Sequence, residues 1–180
     1  MDGIGPTYAD CPTVEVETVV DASLSAVWPL VADITLPARF SAEFQGADWL
    51  HGATGPSAGA QFVGRNTHPV AGSWQTVCTI VDYEPGRRIG YVVSGLGRTD
   101  LESPAATWRF ELEPVSVSRV GLRYWARIGP GPSLLSHVID ADPASERRVV
   151  ARRLTELRRN MTATVLGIKG IAEGPGLVHG

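Results

Sequence analysis

Long hydrophobic runs are missing from this 180-residue chain. No apolar stretch approaches the ~20 residues that a membrane-spanning helix needs. The first residues lack a basic stretch followed by an apolar one, so no secretory leader is expected and the expected location is the cytoplasm. Cysteine is scarce: Cys11 and Cys78 stand far apart, with no C-x-x-C. That spacing excludes a disulfide framework and a cysteine zinc site, and both are expected as free thiols. Lysine is nearly absent, with Lys169 alone among sixteen basic residues, a composition that hints at a GC-rich bacterial genome. The net charge of −3 leaves no positive excess, so bulk nucleic-acid binding is not expected. The four histidines, His51, His68, His137 and His179, form no H-x-x-x-H pair, and no metal is expected. No G-x-x-x-x-G-K or G-x-G-x-x-G occurs, so no phosphate-cradling loop and no cofactor is expected. Gly55–Gly59 matches G-x-S-x-G, but Pro56 sits inside it and a strand pattern follows, so a loop is expected there rather than a nucleophile elbow.

What is present suits one folded domain. Hydrophobic residues make up 43% and charged residues 19%, which excludes a disordered chain and a coiled coil. Residues 1–12 are polar and punctuated by Pro6 and Pro12, so they are expected as a flexible tail before a single domain over 13–172, with a second tail over 173–180. Val14–Val20 alternates and is β-branched, which predicts a strand. Leu24, Val27, Trp28 and Val31 recur at helical spacing, with Asp21 or Ser23 as the cap. Pro37 marks a break, and Leu36–Phe44 is expected as a second short helix. Six strand candidates follow: Asp48–His51, Ala60–Thr67, Trp74–Tyr83, Arg88–Ser94, Ala106–Glu113 and Ser118–Ile128. In the last two, Trp108, Phe110 and Leu112 oppose Arg109, Glu111 and Glu113, while Val120, Leu122, Tyr124 and Ala126 oppose Arg119, Arg123 and Arg127. Each of these strands therefore has one wet face. Ser133–Asp142 reads as a short connection. From Ala144 to Ala172, Val150, Leu154, Leu157, Met161, Val165 and Ile168 form an apolar stripe at spacings of three and four. The pattern predicts an α+β domain in which a curved antiparallel sheet grips one long helix.

The sequence also resembles a family. Val14–Ala22 followed by Val27–Ile34 is similar to the opening of the SRPBCC (START-like) superfamily, and more narrowly of its polyketide cyclase/dehydrase and lipid-transport group. Phe62–Asn66 with Trp74, Tyr83–Arg88 and Thr107–Pro114 follow in matching order. The resemblance implies a helix-grip fold: a seven-stranded curved antiparallel sheet around the C-terminal helix, with two short helices after the first strand. It also implies an apolar cavity between sheet and helix. Relatives hold lipids, sterols, polyketides or plant-hormone-like molecules there, and some assist aldol cyclisation and dehydration.

With the faces assigned above, the cavity candidates are Phe62, Asn66, Trp74, Thr76, Cys78, Tyr91, Trp108, Phe110 and Tyr124, joined from the helix by Leu157, Met161 and Val165. Leu134, Leu135 and His137 are candidates for a lid. An apolar and aromatic set with a few polar groups suits a small-molecule pocket; the same residues would also fill a plain core. Asn66 reads either as a strand-end hydrogen-bonding group or as a pocket group. An aldol closure needs a base beside a carbonyl and a donor for the enolate oxygen. His68 or His137 are the candidate bases, the latter with Asp140 one turn on, and Tyr91, Tyr124 or Asn66 the candidate donors. His68 beside Pro69 also reads as a surface turn. Two functions stay open: a cyclase acting on an aromatic or polyketide-type molecule, and a non-catalytic carrier or sensor of a hydrophobic metabolite. The arginines of the last helix read as a solvated face whose heads pair with the sheet, and less readily as a site for an anionic partner or a dimer contact. The expected partner is a hydrophobic small molecule, and the expected state a monomer or homodimer.

Overall fold

The computed structural model describes residues 5–94 and 100–174. Seven strands form one antiparallel sheet: β1 (Thr13–Val20), β2 (Phe44–Trp49), β3 (Gln61–His68), β4 (Gly72–Glu84), β5 (Arg88–Ser94), β6 (Ala106–Ser116) and β7 (Arg119–Ile128). Their spatial order is β1-β7-β6-β5-β4-β3-β2, so hairpins link every neighbouring pair except β1 and β7. Three helices accompany the sheet: α1 (Leu24–Ala32), α2 (Leu134–Ala141) and α3 (Glu146–Glu173). The helix-grip architecture is present, with α3 packed on β1 and β7 and against α1.

The alternation of β6 and β7 is what seats the core. Phe110 and Leu112 pair in register with Tyr124 and Leu122, and all four are buried. Val150, Leu157, Met161, Val165 and Ile168 present the buried stripe of α3. Burying each such side chain stabilises the fold by about 1.5–3 kcal/mol before entropy is counted. The helix also protects the open edge of the sheet. Arg158 donates to the carbonyl of Glu15 at 3.0 Å, and the Lys169 ammonium to that of Val19 at 2.7 Å. Both carbonyls belong to β1, an edge strand whose unpaired groups would otherwise invite another chain. Two of the helix's basic heads thus pair with the sheet.

Local differences from the sequence pattern have physical causes. The second short helix expected over Leu36–Phe44 is only a 3-10 turn, Leu36–Arg39, with Pro37 at its start. The chain leaves it because Phe44 already pairs with Asn66, so β2 begins at Phe44 rather than Asp48. Gly46 sits at φ 145° in a register shift, which breaks the alternation that would have revealed this strand. Phe40, just after the turn, packs where a Cβ on Gly167 would stand, so glycine at that point lets the segment lie close on α3. Ser133–Asp142 is not a plain connection. It holds α2, started by a reciprocal cap between Ser133 and Ser136. The segment before β1 is docked where it is described: Tyr8 is buried, its hydroxyl donates to the Gly131 carbonyl at 2.6 Å, and its amide donates to Glu146 at 2.9 Å. Gly55–Gly59 is a loop. Residues 95–99 and, of the tail expected over 173–180, residues 175–180 with His179 lie outside the described residues, while Glu173 still belongs to α3.

Candidate functional site

Between the inner face of the sheet and α3 lies a pocket of about 100 Å³. Three layers build it. The sheet supplies Phe62, Asn66, Thr76, Cys78, Ile89, Tyr91, Val93, Trp108, Phe110 and Tyr124; α3 supplies Leu157, Asn160, Met161 and Thr164; and the segment from α1 to β2 supplies Val31, Asp33, Ile34, Pro37, Ser41, Glu43 and Phe44. The register explains the sheet's share. Phe62 opposes Cys78, Gly64 opposes Thr76 and Asn66 opposes Trp74, while Tyr91 opposes Trp108. Gly64 faces inward without a side chain; a Cβ there would meet the Phe44 ring at 3.2 Å and the Thr76 hydroxyl at 3.4 Å.

The deep end is aromatic. The Phe110 and Tyr124 rings stack with centroids 3.8 Å apart, and Trp108 tilts against Tyr124 at 5.4 Å. Phe62 meets Tyr91 and Trp49 edge-on at 5.1 and 5.7 Å. Tyr91 and Tyr124 both line this end together with Cys78. Burial raises both phenols above their ordinary value, and it pushes the Cys78 thiol up to about 12. All three groups therefore stay protonated at neutral pH.

The mouth is polar. Glu43 lies in the lining, and both its carboxylate oxygens accept from Arg153, at 2.5 and 2.6 Å. Arg153 also faces Glu156 at 3.7 Å, and Glu156 accepts from Arg152 at 3.0 Å. Burial works against the charge on Arg153, but its bonds to Glu43 and the negative charge of Glu43 and Glu156 outweigh it and raise its pKa. Burial likewise raises Glu156, yet the Arg152 bond and the charges of Arg153 and His68 carry it below its ordinary value. His68 Nδ1 lies 3.2 and 3.3 Å from the amide nitrogens of Val70 and Ala71, and its Nε2 faces Glu156 at 3.6 Å. These four side chains tie together the chain before β2, the end of β3 and the first half of α3.

Of the residues singled out from the sequence, Phe62, Asn66, Thr76, Cys78, Tyr91, Trp108, Phe110, Tyr124, Leu157 and Met161 stand in the lining. Trp74, Val165 and Leu134 stand outside it. Trp74 is half-buried at the end of the sheet face, Val165 is packed in the core, and Leu134 is on α2. Neither histidine is in the lining: His68 belongs to the charged group at the mouth, and His137 is exposed on α2 with Nδ1 2.9 Å from the Ser133 carbonyl. Sequence reasoning missed Glu43, Asn160 and Thr164. Asn160 and Thr164 fall at i+3 and i+7 from Leu157, so helical spacing could have found them; nothing local marks Glu43. Among the described residues, no three His, Cys, Asp or Glu side chains group as metal ligands.

A curved antiparallel sheet closed on a long C-terminal helix, with a mostly apolar pocket between them, defines a START-like small-molecule fold. The chain belongs to the polyketide cyclase / dehydrase and lipid transport family, whose model matches residues 12–165. Members bind hydrophobic small molecules. Solved structures share the fold. A polyketide-cyclase-like protein from Corynebacterium glutamicum is 26% identical, with a TM-score of 0.59 over 89% of this chain and 91% of that one. The Zhui aromatase/cyclase from a Streptomyces species is 19% identical, with a TM-score of 0.60 over 90% and 93%. A START superfamily protein from Mycobacterium smegmatis is 15% identical, with a TM-score of 0.52 over 86% and 97%. No curated protein matches the sequence. Among the described residues, no helix is long and apolar enough to cross a membrane.

Proposed function

We propose that the protein binds an apolar, aromatic or polyketide-type small molecule between the sheet and α3, as a carrier or sensor of that molecule. The observation that carries this reading is the lining. It is aromatic and aliphatic at depth, its polar groups at that end are protonated, and no histidine joins it. Of the two carboxylates in the lining, Glu43 is held on both oxygens by Arg153 and Asp33 accepts on one oxygen from Thr35. A general base has to be free to take a proton, and the tie on Glu43 favours holding over turnover. The size narrows the ligand. About 100 Å³ is near the ~150 Å³ of a cavity that holds benzene, and below the ~300–1,000 Å³ of pockets for drug-sized ligands. One ring fits as the side chains stand. A larger ligand needs Met161, the most adaptable of the walls, to move.

The second reading, a cyclase, is favoured by one feature: Tyr91 and Tyr124 in the lining offer an enolate oxygen a hydrogen-bond donor. The proposal extends to a cytoplasmic monomer or homodimer that works without nucleic acid, in keeping with the net charge of −3. Native mass spectrometry of the purified protein, repeated after denaturation, tests the main reading. A co-purified hydrophobic molecule is expected. A protein that carries none, and also fails to bind a panel of aromatic polyketides and fatty acids, would overturn it.

A further inference from the structure

We infer that residues 5–12 are a strap that locks α2 in place, and that α2 is a lid over the end of the sheet that carries Cys78 and Val93. Of the described residues of α2, Ile139 alone is buried, and Val138 is more than half exposed. An eight-residue helix is too short to stand by itself in water, and one buried side chain gives it little hold on the body. What holds α2 lies at its two roots. The Tyr8 hydroxyl donates to the Gly131 carbonyl at 2.6 Å and lies 3.0 Å from the hydroxyl of Ser133, the residue that caps α2. The Tyr8 amide donates to Glu146 at 2.9 Å, and Arg147 donates to the Gly5 carbonyl. One short segment therefore ties the chain just before α2 to the chain just after it. The Tyr8 ring also closes on Gly129, which sits at φ 80°; a Cβ there would stand 3.4 Å from it.

The strap is shaped for this task. Thr7 donates to Asp10 from its amide and its hydroxyl, at 2.7 and 2.8 Å, and the Cys11 amide donates to the Tyr8 carbonyl at 3.1 Å. These bonds bend residues 7–11 into a hook that carries Tyr8. The Pro12 carbonyl accepts from the Ile128 amide at 3.1 Å and joins the hook to the sheet. Residues 5–11 precede the stretch that the family model matches, so the strap is an addition to the matched fold. The register of the sheet places what lies behind the lid. Cys78 opposes Val93, Val93 opposes Ala106, and Ala106 opposes Ile128, the last residue of β7 before the first root of α2. Cys78 and Val93 both line the pocket. Swinging α2 away on Gly129 and Gly131 uncovers that row. It gives a ligand larger than one ring a way in that leaves the ion pairs of the mouth intact.

Hydrogen exchange of the full chain, read by mass spectrometry, tests the strap without any ligand. Tyr8→Phe keeps the ring and removes the hydroxyl bonds. Residues 134–141 are expected to exchange about tenfold faster in this variant, the scale of one lost hydrogen bond. Strand β6 and residues 157–168 of α3 should not change, which also shows that the variant is folded. Glu146→Ala unties the other root and should speed the same segment. Unchanged exchange in both variants overturns the strap. So does a rise shared equally by β6 and α3, which would make the Tyr8 bonds a support of the whole fold. Alkylation of Cys78 tests the lid, in a Cys11→Ser background so that the strap itself takes no label. Its rate is expected to rise in step with the exchange of α2. A Cys78 rate that stays the same while α2 exchanges faster overturns the lid. Because both readouts use the protein alone, neither outcome decides what the pocket binds, and the binding reading stands or falls by its own test.

Discussion

The two ends of the pocket are built on opposite principles. At the deep end, Phe110 and Trp108 hold Tyr124 by ring contact and Phe62 holds Tyr91, and their polar atoms are few and neutral. At the mouth, Glu43, Arg153, Glu156 and His68 hold each other by charge, and each keeps between 13% and 22% of its side chain open to solvent. A dry end is shaped by ring packing. A wet end holds the surrounding segments in place and remains open to proton and salt. If this contrast is real, thiol chemistry, packing, ion pairing and pH should each report it, with effects that shrink in that order.

The largest effect concerns Cys78. Burial pushes its thiol up to about 12, so at pH 8 only about one molecule in ten thousand carries the reactive thiolate. Its alkylation by iodoacetamide is expected to run roughly a thousandfold slower than that of an ordinary thiol near 8.5. Cys11 is half-exposed and should label first. Mass spectrometry of the labelled peptides at timed intervals gives both rates. Equal rates would mean that water reaches the deep end, and the contrast between the two ends would be lost.

Packing comes next. Phe110 is buried and stacked on Tyr124, so Phe110→Ala removes a ring from both the core and the aromatic end. The expected loss is about 3–5 kcal/mol, or roughly 10 °C in Tm for a chain of this size. Thermal unfolding measures it. A loss under about 1 kcal/mol would show that the ring only borders empty space and supports little.

The ion pair at the mouth should count for less. Arg153→Met leaves the Glu43 carboxylate half-buried without its partner, while Glu156 keeps Arg152. The expected cost is about 2–3 kcal/mol, below the ~3–5 kcal/mol of a fully buried pair because both partners touch solvent. The double variant Glu43→Gln/Arg153→Met should lose less than the two single variants added together, since neither charge is then stranded. Strict additivity in chemical denaturation would sink the claim that the two side chains act as a pair.

How much of this the sequence discloses depends on which face a residue faces. The aromatic end was legible because β6 and β7 have one wet face, so Phe110, Trp108 and Tyr124 declare their side by alternation. Tyr91 and Cys78 follow once β4 and β5 pair in register. The mouth was not legible. Glu43 precedes a strand whose alternation Gly46 interrupts, and it meets Arg153 across 110 residues. No local pattern encodes such a meeting. Helix α3 shows a finer limit. The stripe gives Leu157, Met161 and Val165 alike, but consecutive helical positions differ by about 100°, so Thr164 turns to the pocket while Val165 packs in the core. His68 shows a third: its position beside Pro69 suggested a turn, and the structure adds a partner, Glu156, on an element that contributes nothing nearby in sequence.

The smallest effect is also the one most specific to the mouth. Burial raises Glu156, but Arg152, Arg153 and His68, facing it from α3 and β3, hold it below its ordinary value. Its folded pKa is depressed, so its contribution to stability is present above the unfolded carboxylate value of 4.5 and is lost as pH falls through the lower folded value. Glu156→Gln should therefore cost little or nothing at the acid end of that window and most at neutral pH, where the difference is expected to stay at about 1 kcal/mol or less because the group is partly solvated. The curves of stability against pH for the two proteins should converge on acidification. High salt at neutral pH should narrow the same gap, whereas the cost of Phe110→Ala should be unmoved by salt and by pH, because stacked rings carry no charge to screen. If the Glu156 gap stays constant from neutral pH down to 3, its carboxylate is not held by charge. The mouth would then be stabilised by packing like the deep end.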